Sequence, residues 1–196
     1  MSKINIDRIV KDIKSKTTSL TPVIEAVCNS IDAIGPERTD GVIDIIVKRT
    51  GQRSLNLDNT HTLSDIVSID IVDNGIGFTE ENKDSFDTYR SGFKMSKGGK
   101  GFGRFMYLKY FNNVSIESVF REGDKYKQRS FTFGHADEII ENEQIIDLEF
   151  NPDLHTGTVL HLSSIKSFDL DKGLEVIARK LVERLLVFFV TGGKYT

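Results

Sequence analysis

Apolar residues recur at two spacings along the chain, and these spacings divide it into helical and extended segments. Spacings of three and four residues predict helices, and the last helix turns Leu174, Ile177, Ala178, Leu181 and Leu185 toward the core. Runs of β-branched and aromatic residues between turn signals predict strands. The predicted helices cover residues 7–14, 19–34, 80–89, 103–111 and 170–190, and the predicted strands cover residues 41–48, 66–72, 114–120, 126–133, 144–150 and 157–162.

Capping residues set the ends of the predicted helices. Asp7 is the expected N-cap of the first helix, and Pro22 suits the first turn of the second. Residues 35–36 end the second helix, and residues 112–113 end the fourth. Because helices come first and mostly antiparallel strands follow, we predict an α+β fold, a two-layer sandwich in which a mixed, mostly antiparallel sheet is covered on one face by helices. No interior linker interrupts the pattern, which predicts one domain over residues 1–196.

Polar residues line one side of the second predicted helix. Glu25, Asn29 and Asp32 follow one another at i, i+4 and i+7, beside the apolar face that explains why this helix packs. An aligned polar row is also what a solvent-facing surface shows. The helix by itself therefore leaves a functional face and an ordinary surface equally open.

An aspartate and two glycines follow the second predicted strand. Asp73 comes directly after the apolar run, and Gly75 and Gly77 allow a ligand to approach the backbone closely. A carboxylate at the end of a strand can accept a hydrogen bond from a flat heterocycle lying over these glycines. This arrangement favours a nucleotide base.

A second glycine-rich stretch precedes the fourth predicted helix. Four glycines fall among residues 98–103, so bare N–H groups and a helix N-terminus would face the same ligand and suit phosphates. Residues 88–116 contain no Asp or Glu but do contain Arg90, Lys94, Lys97, Lys100, Arg104 and Lys109. A locally positive loop in a chain of net charge -3 favours an anionic ligand. A solvated basic loop that touches nucleic acid is the alternative.

Composition limits the class of protein. With 196 residues, 38% of them hydrophobic and 28% charged, the chain can bury one sizeable core. We expect no membrane partner, because the longest apolar run is far shorter than a spanning helix, and we expect a cytoplasmic protein, because the start does not resemble a signal peptide. Cys28 lies among apolar helix residues and is expected to be a buried, inert thiol. The four histidines show no metal-ligand spacing.

Four motifs together resemble a known family. The segments 25–33, 73–77 and 99–103 are similar to the N, G1 and G2 boxes of the GHKL ATPase superfamily, which includes DNA gyrase B, the large heat-shock chaperone, histidine kinases and MutL, with MORC proteins as relatives. The segment 157–162 looks like the adenine-side strand of that family. Each glycine motif is weak alone, but the four occur in the family's order. The resemblance implies the Bergerat ATP-binding fold, with ATP or ADP and Mg²⁺ as ligands.

The resemblance also implies a role for each matching residue. Glu25 would be the general base, Asn29 would bind Mg²⁺ through its side-chain oxygen, and Asp32 would lie deeper in the polar network. Asp73 would accept a hydrogen bond from the adenine amino group, and Gly77 would leave room for the base. The remaining nucleotide-binding positions implied are Gly75, Lys94, Gly99, Lys100, Gly101, Phe102, Gly103 and Thr158, with Arg104 as a further cation.

Partners and rate follow from the same resemblance. Glu25 favours the gyrase, chaperone and MutL branch. We expect a lid, residues 90–100, to close over the nucleotide and thereby to control homodimerisation or a neighbouring domain. Those relatives contribute a lysine from a second domain that follows the ATPase module, so we expect the chain either to be the N-terminal fragment of a longer protein or to be read out by a separate partner. We expect tight ATP binding and slow hydrolysis. The alternatives are a non-hydrolysing nucleotide-dependent interaction module, a histidine-kinase-like domain, and a nucleic-acid binder acting through Lys94, Lys97 and Lys100.

Overall fold

A computed structural model gives the fold of the protein. It describes residues 5–13, 17–51, 63–87, 103–134, 138–166 and 170–190, without the side chains of residues 187–189. The helices of these segments are α1 (Ile6–Asp12), α2 (Thr21–Ile34), α3 (Glu80–Asp87), α4 (Phe105–Tyr110) and α5 (Leu174–Val190). The strands are β1 (Ile43–Arg49), β2 (Ile66–Asp73), β3 (Phe111–Glu122), β4 (Lys125–Phe133), β5 (Ile140–Leu148) and β6 (Gly157–Ile165).

One six-stranded sheet organises the described chain. Its order is β1-β2-β6-β3-β4-β5, and every pairing between these neighbours is antiparallel. The predicted α+β class is confirmed, whereas the predicted parallel component of the sheet is absent from the described pairings. The hairpin between β3 and β4 turns at Gly123 with φ 60°, as the turn signal predicts.

The core lies between the helices and one face of the sheet. Directly opposed residues on neighbouring strands share a face, so the pairs Ile69 with Leu162 and Ile71 with Leu160 mark the inner face. These residues form one apolar cluster with buried residues of α1, α2, α4 and α5. Helix α3 joins the same face through Phe86, whose ring lies 5.6 Å from that of Phe131. Cys28 of α2 is buried, as predicted.

Several helix boundaries differ from the prediction. The N-cap of α1 is Asn5, whose Oδ1 accepts a hydrogen bond from the Arg8 N–H at 2.8 Å, so the expected Asp7 cap is wrong. Residues 112–113 do not close α4, because Phe111 is already extended, fully buried and paired with Ile165 at the start of β3.

The inner face of α5 is narrower than predicted. Ile177, Leu181 and Leu185 are buried in the core, but Leu174 and Ala178 are exposed. The helix therefore buries a single stripe of i, i+4 spacing. No helix of the described ranges is both long and apolar enough to cross a membrane.

Candidate functional site

A row of polar side chains crosses the inner face of the sheet at one end of its strands. Asp73 of β2 opposes Thr158 of β6, Thr158 opposes Ser118 of β3, and Ser118 opposes Arg129 of β4. All four are buried, with exposed fractions of 9%, 8%, 2% and 0%. The next row inward is apolar, so this polar row marks where the core stops and a site could begin.

The Asp73 carboxylate is held by uncharged donors. Its Oδ2 accepts from the Ser30 hydroxyl at 2.8 Å, and its Oδ1 accepts from the Gly75 N–H at 2.9 Å. Burial raises the pKa of Asp73 above its ordinary value, and the hydrogen bonds from Ser30, Gly75 and the Thr158 backbone oppose that rise only in part. A carboxylate has about four acceptor positions, so it can still accept a hydrogen bond from a ligand donor.

Ser118 and Thr158 connect the row to the loop that follows β2. The Ser118 hydroxyl accepts from the Phe78 N–H at 2.8 Å and lies 3.1 Å from the Thr158 hydroxyl. Gly77 has φ 77°, and a Cβ there would collide with the Val119 carbonyl oxygen of β3. The structure thus gives Gly77 a packing role against the sheet; the predicted role, room for the base, stays a prediction.

Gly75 fixes the same loop against α2. A Cβ at Gly75 would lie 2.9 Å from the Ala33 carbonyl carbon, and the Ile76 N–H donates to the Ala33 carbonyl at 3.0 Å. The last turn of α2 and the loop therefore lie in direct contact. This contact brings the second predicted helix and the first glycine motif into one site, although they are some forty residues apart in sequence.

Arg129 is the last residue of the row, at the end away from Asp73. Its guanidinium binds other groups of the fold. Its Nη1 donates to the carbonyls of Phe78 at 2.7 Å and Thr79 at 3.0 Å, and its Nη2 bonds to Glu80. Its Nε lies 3.0 Å from Glu143 Oε1, which forms an ion pair with it but no hydrogen bond. Arg129 therefore anchors the start of α3 and does not face a ligand.

Helix α2 carries the predicted catalytic and metal-binding side chains. Glu25 is half-buried, and its carboxylate occupies the space that a Cβ would need at Gly103, the residue that begins the turn into α4. The Asn29 side-chain N–H donates to the Tyr107 hydroxyl at 3.0 Å, and this hydrogen bond fixes the orientation of the amide. Tyr107 is buried, and burial raises the pKa of its hydroxyl, so it stays neutral.

Asp32 is exposed, so the expectation that it lies deeper in the site is wrong. At about 100° per residue, Asp32 lies within roughly 20° of Glu25 around the helix, whereas Ser30 lies roughly 140° away. Ser30 is therefore the α2 residue that faces the sheet and bonds to Asp73. The i, i+4, i+7 spacing of Glu25, Asn29 and Asp32 identifies one side of α2. It does not identify the side that contacts β2.

The second glycine motif is only partly described. Gly103 is placed, but the predicted positions Lys94, Gly99, Lys100, Gly101 and Phe102 lie outside the described residues. Arg104, the further predicted cation, donates to the Ser85 carbonyl at 3.0 Å. Its guanidinium lies 5.3 Å from the centre of the Phe86 ring, and burial lowers its pKa to about 10. Arg104 thus joins α3 to α4.

Ser30, Tyr107, Ser118 and Arg129 are the site residues that sequence reasoning missed. Strand alternation from Ile116 predicts that Ser118 faces inward, and that signal could have found it. Nothing in the sequence indicates that Arg129 is buried or that Tyr107 meets Asn29, because both depend on which elements become neighbours.

The donor set suits a magnesium ion that is held largely by its substrate. No three His, Cys, Asp or Glu side chains converge on one point in the described ranges. Mg²⁺ commonly keeps most of its waters and takes one or two protein oxygens plus phosphates. Glu25 and Asn29, one helical turn apart on α2, are side chains with oxygen atoms of the kind that pattern requires.

Comparison with known proteins adds no identification. The sequence matches no family model, and a search of curated proteins gave no significant match.

Proposed function

We propose that the chain is an ATP- and Mg²⁺-binding module of the GHKL ATPase type that hydrolyses ATP slowly. The observation that carries the proposal is Asp73, a buried carboxylate at a strand end whose hydrogen-bond donors are all uncharged. Perturbed carboxylates of this kind cluster at functional sites. The ordered motifs of the sequence supply the remaining support for this family.

The base-binding end is built around Asp73 and Thr158. The adenine amino group donates to the Asp73 carboxylate, which Ser30 and Gly75 hold in a fixed orientation. The Thr158 hydroxyl, which opposes Asp73 across the ladder, adds a direct or water-mediated contact. A fixed acceptor of this kind recognises ATP by its amino group and discriminates against bases that lack it.

The phosphate end depends on α2 and the start of α4. Glu25 accepts a proton from the water that attacks the γ-phosphorus, which releases ADP and inorganic phosphate. Its contact with Gly103 places this carboxylate beside the end of the glycine motif. Tyr107 orients Asn29 toward the cation through the 3.0 Å hydrogen bond. Magnesium, when bound, neutralises phosphate charge and orients the triphosphate.

Hydrolysis is tested by removing the proposed base. In Glu25→Ala we expect ATP affinity to stay within about threefold and single-turnover phosphate release to fall by at least about 100-fold, the range of general-base catalysis. Glu37→Gln is the matched control, because Glu37 is an exposed carboxylate just beyond the same helix. Phosphate release that survives in Glu25→Ala removes the base assignment.

The same experiment distinguishes the proposed ATPase from the second candidate, a non-hydrolysing nucleotide-dependent interaction module. If the unmodified chain binds ATP but releases no phosphate in a single turnover, nucleotide acts only as a conformational ligand. Phosphate found on a histidine after incubation with labelled ATP favours a kinase instead. Lid closure, homodimerisation and coupling to a downstream domain stay predictions from the sequence.

A further inference from the structure

The edge strand β5 exposes apolar side chains on both of its faces. Ile145 and Ile146 point to opposite faces, yet their exposed fractions are 43% and 52%. β5 pairs with β4 on one side, and no other described strand pairs with it. Proteins normally blunt such edges with short strands, bulges, prolines or lysines, because unpaired N–H and C=O groups recruit other strands.

Only the first part of β5 is blunted. The register shifts opposite Ser130 and Thr132, and Asn142 has φ 55°, which marks a bulge on the edge strand. After the bulge the ladder is regular from Gln144 to Leu148, where each residue has a partner on β4. This regular part spans roughly 17 Å, which is enough to pair with about five residues of another strand.

The end of β5 and the two residues that follow it alternate apolar and acidic side chains. Ile146, Leu148 and Phe150 alternate with Asp147 and Glu149. Phe150 is 83% exposed, and Glu149 is exposed and forms no ion pair with any described residue. Residues 138–153 contain Glu138, Glu141, Glu143, Asp147, Glu149 and Asp153 but no Lys or Arg. The edge therefore presents negative charge together with an apolar side.

Charge argues against a second copy on this edge. An antiparallel pair of β5 strands would place the acidic residues of one copy beside those of the other, which is unfavourable across a ladder. Within β4, Arg129 offsets Glu143 at 3.0 Å, and Lys125 and Lys127 offset Asp147 at 3.8 Å each. The carboxylates of Glu138, Glu141, Glu149 and Asp153 form no ion pair with any described residue. A strand with basic side chains satisfies what remains.

A cavity continues the edge at the end of the strand. It has a volume of about 300 Å³ and is lined by Asp124, Lys125, Tyr126, Asp147, Leu148 and Phe150. The aromatic and acidic groups on its wall suit the aliphatic stem and cation of a lysine or arginine side chain. A strand paired with residues 144–148 would deliver its next side chain to this cavity.

We infer that β5 is a docking edge for an extended segment of a partner protein with alternating apolar and basic side chains. The backbone of that segment adds a seventh strand to the six-stranded sheet. Its apolar side chains pack beside Ile146, Leu148 and Phe150, and its basic side chains face Glu149, whose charge no described residue offsets. In the strand order β5 is at the other end of the sheet from β1 and β2. The inference therefore does not depend on the proposed nucleotide site.

The probe is an acetylated, amidated heptapeptide of alternating lysine and valine that carries fluorescein, titrated with the whole 196-residue chain while its anisotropy is measured. We expect saturable binding. A peptide with glutamate in place of lysine should bind at least tenfold more weakly, and so should the lysine peptide N-methylated at each residue, because it lacks backbone donors.

Two variants with the same substitution locate the edge. Ile146→Lys on β5 should weaken binding at least tenfold, whereas Ile46→Lys should not change it. Ile46 lies on β1, the other edge of the sheet, and is 47% exposed, so it is a close match. Glu149→Lys should weaken binding about threefold through charge alone.

Four peptide-binding results overturn the inference. They are no binding of the lysine peptide, equal binding of the glutamate peptide, equal binding of the N-methylated peptide, and equal loss in Ile46→Lys and Ile146→Lys. A dimer in sedimentation equilibrium that Ile146→Lys abolishes would put a second copy on the edge, and would also overturn it.

Discussion

Two buried aspartates on one strand, Asp70 and Asp73, have opposite electrostatic environments. Asp70 lies on the outer face of β2, where Lys48 Nζ is 2.6 Å and His161 Nδ1 is 2.9 Å from its carboxylate. Burial acts to raise its pKa, but the bonds to Lys48 and His161 outweigh burial, and the pKa lies below its ordinary value. Asp73, on the inner face, has only uncharged donors, and burial raises its pKa.

The difference separates a structural carboxylate from a candidate functional one. Asp70 has a cationic partner, Lys48, and a second partner, His161, within the fold, so it needs no ligand. Asp73 is oriented by the fold but is not neutralised by it, and a hydrogen-bond donor from outside would stabilise its charge. Burial of an acidic residue therefore does not by itself indicate a functional site. The charge of its hydrogen-bond partners distinguishes the structural carboxylate from the candidate functional one.

Of the two aspartates, Asp70 should cause the larger loss of stability when its charge is removed. In Asp70→Asn the free energy of unfolding should fall by about 2 kcal/mol, because two hydrogen bonds to a charged group are lost. ATP affinity should stay within about twofold. Urea unfolding and calorimetric titration measure the two effects, and Asp44→Asn, an exposed aspartate on β1, is the control. A loss of affinity that matches the loss of stability would mean that Asp70 also serves the site.

Ser30 sharpens the comparison from the other side. Ser30→Ala should weaken ATP binding about fivefold, or about 1 kcal/mol, because one carboxylate oxygen loses its donor and its orientation. Ser19→Ala is a matched control, since Ser19 is 1% exposed and its Oγ has no hydrogen-bond partner within the described ranges. Equal loss in both variants would indicate general destabilisation of the fold.

The smallest expected effect is a difference of sign with pH. Asp73 has a raised pKa in the folded state, so its contribution to stability is present below its ordinary pKa and is lost as the pH rises through the folded value. Asp70 has a lowered folded pKa, so its contribution is present above the ordinary pKa and is lost as the pH falls. We therefore compare the free energies of unfolding in urea between about pH 3 and pH 7. As the pH rises, Asp73→Asn should become more stable relative to the unmodified chain, and Asp70→Asn should become less stable relative to it. The same trend in both variants would refute the contrast.

Much of the fold could be predicted from periodicity. The end of α2 at Gly35, the β3–β4 hairpin and the inward run of β6 follow from local signals, and the structure has them in place. The edge character of β5 and the exposure of Leu174 could not be predicted, because they depend on the order of strands and on which face α5 presents.

The candidate site was predictable only in part for the same reason. Asp73 and Thr158 end adjacent strands and oppose each other, but the sequence does not show that β2 and β6 are neighbours. The sequence pattern gives no signal for Ser30, because it lies outside the regular row of Glu25, Asn29 and Asp32. It is nevertheless the α2 residue that donates a hydrogen bond to Asp73. Contacts between elements, rather than patterns within them, select the side chains of the site.

The most direct test of the account compares ATP with inosine triphosphate, which carries a carbonyl in place of the adenine amino group. Calorimetric titration with Mg²⁺ should show the unmodified chain binding ATP at least about tenfold more tightly than inosine triphosphate. Asp73→Asn should lower ATP affinity by about 100-fold, or about 2.7 kcal/mol, and bring the ratio of the two affinities close to one. Equal affinity for both nucleotides in the unmodified chain, or an unchanged ratio in Asp73→Asn, would contradict the assignment of Asp73 as the base-recognising carboxylate.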